Sequence, residues 1–346
     1  MRSPRIARSR LALAVAPLVL GGCSDSTSPE VAPTPSAIVV PRGRLEAHVQ
    51  TLAHDSMCGR LVGTAYERQA ATYIAEQFAG AGLTPAGTDG FFQTVLAGPL
   101  PREAPAATDL CAAEPVATSQ NVIGALAGQG ALAARWVVVS AHYDHLGWDG
   151  SDGFARVFNG ADDNASGTAI VIEVARALAE WIAAHPEAAT SFRSVMFHGY
   201  GAEEIGLFGS RQYAAAPTVP AEALYGVVNL DMVGRLREQT LTVAGASTAP
   251  GWTDLLAASR PNELTLVLAD GLLTRSDQWS FISLLSVPGL HLFTGTHEDY
   301  HTTRDDPPLL NYEGMQIIAR LTLGLLWDLM TIENGLAGDE GGRGGT

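Results

Sequence analysis

Five short runs of this sequence carry side chains that bind metals or move protons: His142-Tyr143-Asp144, Asp162-Asp163, Glu203-Glu204, Asp231 and His301. Imidazole and carboxylate together form a donor set that suits zinc. The adjacent pair Glu203-Glu204 permits a division of labour, with one carboxylate on a metal and its neighbour free to take a proton from water. Alone, two acids at this position would equally suit a solvated helix N-terminus, where negative charge is favoured. The other donors make the catalytic reading the stronger one. His297-Glu298-Asp299-Tyr300-His301 spells H-E-x-x-H, a single-zinc signature that requires a helix. Gly295 upstream, Thr302-Thr303 and Pro307-Pro308 downstream argue against a helix there.

These donors must be brought together by the elements that precede them. Arg135 to Ala141 is a buried-strand run ending just before His142, and Ser194 to Phe197 leads towards Glu203 and Glu204. Tyr225 to Leu230 ends at Asp231, and Val287 to Phe293 precedes His301. Leu45, Val49 and Leu52 space like a helix, and Thr64 caps a second helix with Ala70, Ile74 and Phe78 inward. Thr168 to Ala184 and Asn311 to Met330 read as longer helices. Strands alternating with helices predict an α/β fold, a three-layer α/β/α globule around a central, mostly parallel mixed sheet. Ligands of such sheets bind beyond the carboxyl ends of the strands, where all these donors fall. One catalytic domain is expected over 43–334, with an irregular excursion from Gly98 to Thr118.

The motifs His142-Tyr143-Asp144, Gly160-Ala161-Asp162-Asp163-Asn164-Ala165-Ser166-Gly167, Ala202-Glu203-Glu204-Ile205-Gly206, Asn229-Leu230-Asp231-Met232 and Tyr300-His301 occur in that order within a pattern covering about residues 43 to 332. As a set they resemble the co-catalytic dizinc aminopeptidase family, which includes bacterial leucyl aminopeptidases and glutamate carboxypeptidase II. The resemblance implies a zinc-exopeptidase, phosphorylase/hydrolase-like fold and two Zn ions per chain. It implies His142 and Asp231 on one ion, Glu204 and His301 on the other, and Asp162 bridging both. It further implies Asp144 orienting His142, Glu203 as general base, Tyr300 at the oxyanion and a cis peptide at Asp162-Asp163. Arg275 would lie near the substrate, although Gln278 stands where relatives commonly have His. The implied activity is aminopeptidase action on peptides, with an apolar first residue favoured by family habit. Glutamate-releasing carboxypeptidase or dipeptidase action, with Arg275 or Arg304 holding a substrate carboxylate, is the main alternative. A glutaminyl cyclase or a catalytically dead binding shell would also share the fold, but the full donor set argues against both.

Composition bounds the remaining possibilities. Hydrophobic residues make up 47% and charged residues 16%, enough apolar material for a large core. The sequence has 36 Asp+Glu against 21 Lys+Arg, every basic residue is arginine, and no basic block exists, which argues against nucleic acid as a partner. Arg2, Arg5, Arg8 and Arg10 precede an apolar stretch, Leu11 to Leu20, that is too short to span a bilayer. Leu20-Gly21-Gly22-Cys23 resembles the lipobox of bacterial lipoproteins, so residues 1–22 are expected to be a signal and Cys23 the lipidated residue. That implies an exported, membrane-tethered protein of the cell envelope. A Ser/Pro-rich tether over 23–42 and a frayed Gly-rich tail over 335–346 complete the expected organisation. Cys58 and Cys111 either pair as a disulfide, as export would allow, or remain two buried thiols.

Overall fold

The computed structural model describes Met1 and residues 34–96, 105–113, 116–188 and 190–337. The chain divides into Met1–Ala32 and Pro33–Thr346, and the fold below is that of the second unit. The remainder of the expected signal, the lipidation candidate Cys23 and the tail beyond Ala337 lie outside the described residues. Among the described residues, no helix is long and apolar enough to cross a membrane.

Seven α-helices are described: α1 (Arg42–Leu52), α2 (Ala65–Gly80), α3 (Gly167–Ala184), α4 (Phe208–Ala215), α5 (Trp252–Ser259), α6 (Gln278–Leu285) and α7 (Tyr312–Thr331). The strands are β1 (Thr84–Pro85), β2 (Phe92–Val95), β3 (Ser119–Leu126), β4 (Trp136–His142), β5 (Trp148–Asp149), β6 (Arg156–Val157), β7 (Ser194–Tyr200), β8 (Leu224–Leu230), β9 (Thr240–Ala244), β10 (Thr265–Leu268) and β11 (Gly289–Phe293). The main sheet runs β1-β3-β7-β4-β8-β11-β9-β10, with β2 added beside β3; β5 and β6 form a separate ribbon. Its centre, β7-β4-β8-β11, is parallel, while β3 and β9 flank that centre antiparallel. The expected mixed sheet is therefore parallel where the chemistry lies and antiparallel at its flanks.

Alternation along the strands divides the core into two layers. On β4, Val137, Val139 and Ala141 enter the larger cluster with α1, α2, α3 and α7, while Val138 joins Met196, Tyr213 and Phe281 on the face covered by α4 and α6. Central strands covered on both faces read as continuous apolar runs, which is why β4, β7 and β8 were recognisable. The ordered unit starts earlier than the tether expectation allowed: Val40 is 1% exposed and its carbonyl accepts from Gln316 Nε2. Val40 enters the main core and Ile38 packs against it. Leu336 is likewise buried at the start of the expected tail. Cys58 and Cys111 are joined as a disulfide.

Thr64 caps α2 as expected, its hydroxyl accepting from the Glu67 amide, and Glu67 reaches back to accept from Gly63 N at 2.6 Å. Glu67 is fully buried and also bonds Ser119 Oγ. Burial lifts its carboxyl from 4.5 to about 8, with Asp144 adding to the rise. Between those values the folded protein keeps a proton that the unfolded chain has released, so stability falls as pH rises through that window. Glu67→Gln, which preserves both contacts, is expected to flatten the melting temperature between pH 5 and 8. It should be more stable than wild type by on the order of 2–4 kcal/mol above pH 8. Parallel Tm–pH profiles for the two proteins would refute this account.

Candidate metal centre

The carboxyl ends of β7, β4, β8 and β11 point to one rim of the sheet, and the donors gather there. His142 is the last residue of β4; its Nε2 lies 3.2 Å from Asp163 Oδ1 and 3.4 Å from Asp231 Oδ1. On the other side, His301 Nε2 lies 3.0 Å from Asp163 Oδ2 and 3.2 Å from Glu204 Oε2. The two oxygens of Asp163 therefore face two different histidines. Donor atoms of His142, Glu203 and Asp231 fall within 4.8 Å of one another, as do those of His145, Asp163 and Glu204. His145, absent from the sequence-derived set, places Nδ1 2.6 Å from Glu204 Oε1.

Asp162, expected to bridge, faces elsewhere. Its Oδ1 accepts from Gly234 N at 2.6 Å and Ser166 Oγ at 3.1 Å, and its Oδ2 lies 3.1 Å from His297 Nε2. The cis peptide is also one residue later than expected, at Asp163-Asn164. The physical reason is the loop's own bonding: the Asp305 carboxylate accepts the amides of both Asp162 and Asp163, at 2.9 and 3.0 Å. With that backbone held, the Asp162 side chain turns towards Gly234 and Ser166, leaving Asp163 to face the histidines. Gly160 opens the loop at φ 56°, where any Cβ would meet Asp163 O at 2.2 Å.

Arg60 fixes this loop from beneath. Fully buried, its guanidinium donates to the carbonyls of Leu52, Tyr143, Asn159 and Gly160 at 2.6–3.0 Å. It thus ties the segment after β4 to the segment before Asp162. Burial lowers its pKa to about 10, opposed by Asp163 and Asp144, so it remains a cation at neutral pH.

Asp144 accepts the backbone amides of Glu203 and Glu204, at 2.9 and 3.3 Å, so it holds the end of β7 against the end of β4. Its carboxylate is 3.7 Å from His142 Nδ1, which lies closer to the Asp144 carbonyl at 3.3 Å. Burial drives Glu203 well above the ordinary carboxylate range; His142 opposes the shift, and Asp277, Asp231 and Glu204 add to it. Asp277 is itself fully buried and raised to about 7, mainly by burial. Gln278 braces the end of β8: its Oε1 accepts from Asn229 Nδ2 and its Nε2 donates to the Leu273 carbonyl.

Tyr300 stacks on His301, with ring centroids 3.8 Å apart, and burial raises its phenol so that it keeps its proton at neutral pH. It lines a cavity of ≈ 270 Å³ with Asp231, Met232, Leu272, Arg275, His291, Phe293 and Thr296. Arg304 does not reach that cavity's lining; it is held by Asp299 Oδ1 and the Glu298 carbonyl. Residues 297–301 form turns, and His301 has φ 56°, so the H-E-x-x-H string is not on a helix.

The donors fit zinc on the structure's own terms. His301 Nε2 is buried and close to two carboxylate oxygens, yet makes no hydrogen bond to either. Such atoms face a shared point instead of one another. Burial would lower the imidazole of His301, but Asp163 and Glu204 lift it to about 10, a crowding of acid that a dication would relieve.

Comparison with known proteins places this rim in context. Leucine aminopeptidase 1 of Uncinocarpus reesii is 30% identical over 212 residues, 58% of this chain and 52% of that protein. Aminopeptidase YwaD of Bacillus subtilis is 35% identical over 118 residues, 34% of this chain and 22% of that protein. The chain thus matches about half or less of the length of these curated relatives. Its fold is that of an aminopeptidase from an Aneurinibacillus species, with TM-score 0.61 at 18% identity, covering 84% of this chain and 94% of that one. A zinc aminopeptidase from Bacillus subtilis superposes with TM-score 0.62 at 18% identity, covering 85% and 97%. The model of peptidase family M28 matches residues 121–326, which carry every donor described above, and this chain belongs to that family.

Proposed function

We propose that the chain is a zinc-dependent aminopeptidase that releases the first residue of peptides. The observation that carries this reading is the placement of Asp163 between two histidines: its Oδ1 lies beside His142, which also meets Asp231, and its Oδ2 beside His301, which also meets Glu204. His142 and Asp231 would hold one zinc, Glu204 and His301 the second, and Asp163 would serve both. Zinc bound there would polarise the scissile carbonyl and make water a nucleophile at neutral pH. Glu203, buried beside the donors, takes the proton from the attacking water and returns it to the leaving amine. Cations at this rim would favour its ionised form, offsetting the rise that burial causes. The Tyr300 hydroxyl, protonated at neutral pH, donates to the oxygen that becomes negative during attack. Asp144 and Arg60 do not touch substrate; they hold the loops in register.

The reading extends to location. The Cys58–Cys111 disulfide supports an oxidising compartment, in keeping with export and lipid attachment at Cys23. Cys23→Ser should move the protein from the membrane fraction to the soluble one.

Leucyl, methionyl and glutamyl nitroanilides should be cleaved, their N-acetylated forms should not, and a chelator should abolish turnover that zinc restores. Cleavage of N-acetylated substrates would transfer the assignment to carboxypeptidase action. The observation favouring that second reading is Arg275, exposed at the cavity with no ion-pair partner among the described residues.

A further inference from the structure

The main sheet ends at β10, and the outer side of that strand is unfinished. Sheet edges are normally blunted by charge, proline or a bulge. Thr265-Leu266-Val267-Leu268 has neither charge nor proline, and no strand among the described residues pairs with its outer side. The amides of Thr265 and Ala269 donate inward, to the carbonyls of Gln239 and Val243 on the β9 side, at 2.8 and 2.9 Å. Alternation along the strand therefore turns the backbone N–H and C=O groups of Leu266 and Leu268 outward. The edge is apolar as well: Val267 is 45% and Leu268 49% exposed. Leu266 and Leu268 line a groove of ≈ 320 Å³ between β10 and α5, together with Leu256 and Ala257.

We propose that β10 pairs antiparallel with β10 of a second copy of this chain, about a twofold axis through Val267, so that two sheets become one. Hydrogen bonding and charge both commit the edge to a copy of itself. An axis at Val267 sets Leu266 opposite Leu268 of the other copy, and these are the residues whose polar backbone groups point outward. Each such pair exchanges two hydrogen bonds. Val267 meets its own counterpart across the axis, and the leucines of each copy complete the groove of the other. The α5 helix precedes β10 and returns into it through residues 260–264, exposing Asp254 in its first turn and Arg260 at its end. Arg260 donates to the Leu264 carbonyl, but neither it nor Asp254 has an ion-pair partner among the described residues. The same axis lays the two α5 helices antiparallel, with Asp254 of each copy opposite Arg260 of the other. Exposed Ala257 and Ala258 between those charges allow close approach. A twofold makes every such match twice, which is how one surface patch becomes self-complementary. It also reverses strand direction, so the two metal rims open to opposite sides and the pairing covers neither.

The test is analytical ultracentrifugation of the full chain carrying Cys23→Ser, which removes the proposed lipid. That protein should be a dimer at micromolar concentration. Val267→Lys sets two ammonium groups face to face across the axis and should raise the dissociation constant by about a hundredfold or more. An unchanged circular dichroism spectrum would show that the resulting monomer is folded. Asp254→Arg and Arg260→Asp should each weaken the dimer by about tenfold or more, and the two exchanges combined in one chain should restore it. Val267→Cys should cross-link two chains on oxidation, because the axis brings that position onto itself, whereas Thr265→Cys, displaced along the strand, should not. A chain that stays monomeric overturns the proposal and leaves the edge to a segment of the same chain or to another protein. A dimer that survives Val267→Lys and is not cross-linked through Val267→Cys is built on another surface, and overturns it equally.

Discussion

Asp163→Asn is expected to lower kcat/KM by about a thousandfold or more and to reduce bound zinc below two ions per chain, because an amide offers one weak acceptor where two anionic oxygens stood. Asp162→Asn should keep most of its metal. Its carboxylate already serves Ser166, Gly234 and His297, and an amide oxygen can still accept from the first two. The pair is decisive because the residues are adjacent and chemically identical, and only the direction of the side chain separates them. Metal analysis after exhaustive dialysis, alongside steady-state kinetics, provides the readout. Should Asp162→Asn be the variant that loses zinc, the bridging role belongs to Asp162 after all.

The second large effect is expected at Glu203. Glu203→Gln removes the proposed proton carrier while leaving a side chain of the same shape, so kcat should fall by about 10²–10⁴-fold with zinc content unchanged. The acidic limb of the kcat–pH profile should disappear with it, since that limb reports protonation of the base. Glu204→Gln should behave differently and lose metal, because its oxygens face His145 and His301. A Glu203 variant that keeps turnover within a few-fold of wild type would remove it from the mechanism.

These two acids also show what the sequence makes legible. Glu203 and Glu204 follow a strand written in apolar letters, and a strand end on a parallel sheet already specifies the rim on which they emerge. The long central elements were equally plain: β4, α3 and α7 each lie within a residue or so of the bounds their patterns predict. The choice between Asp162 and Asp163 was not legible, because it depends on Asp305, some 140 residues away, accepting both amides. Arg60 carries no motif that composition or period can find. Its function lies in four carbonyls drawn from three parts of the chain.

That guanidinium changes what metal loss means for this protein. In small zinc domains the ion is the scaffold, and chelation unfolds the chain. Here a permanent cation, anchored two residues from a disulfide, holds both ligand loops to the protein interior whether or not an ion is present. The acids above it meet positive charge from below even in the metal-free state. Removal of zinc from the proposed site is therefore expected to disturb the rim alone, and one divalent ion should exchange for another on a frame that is already assembled.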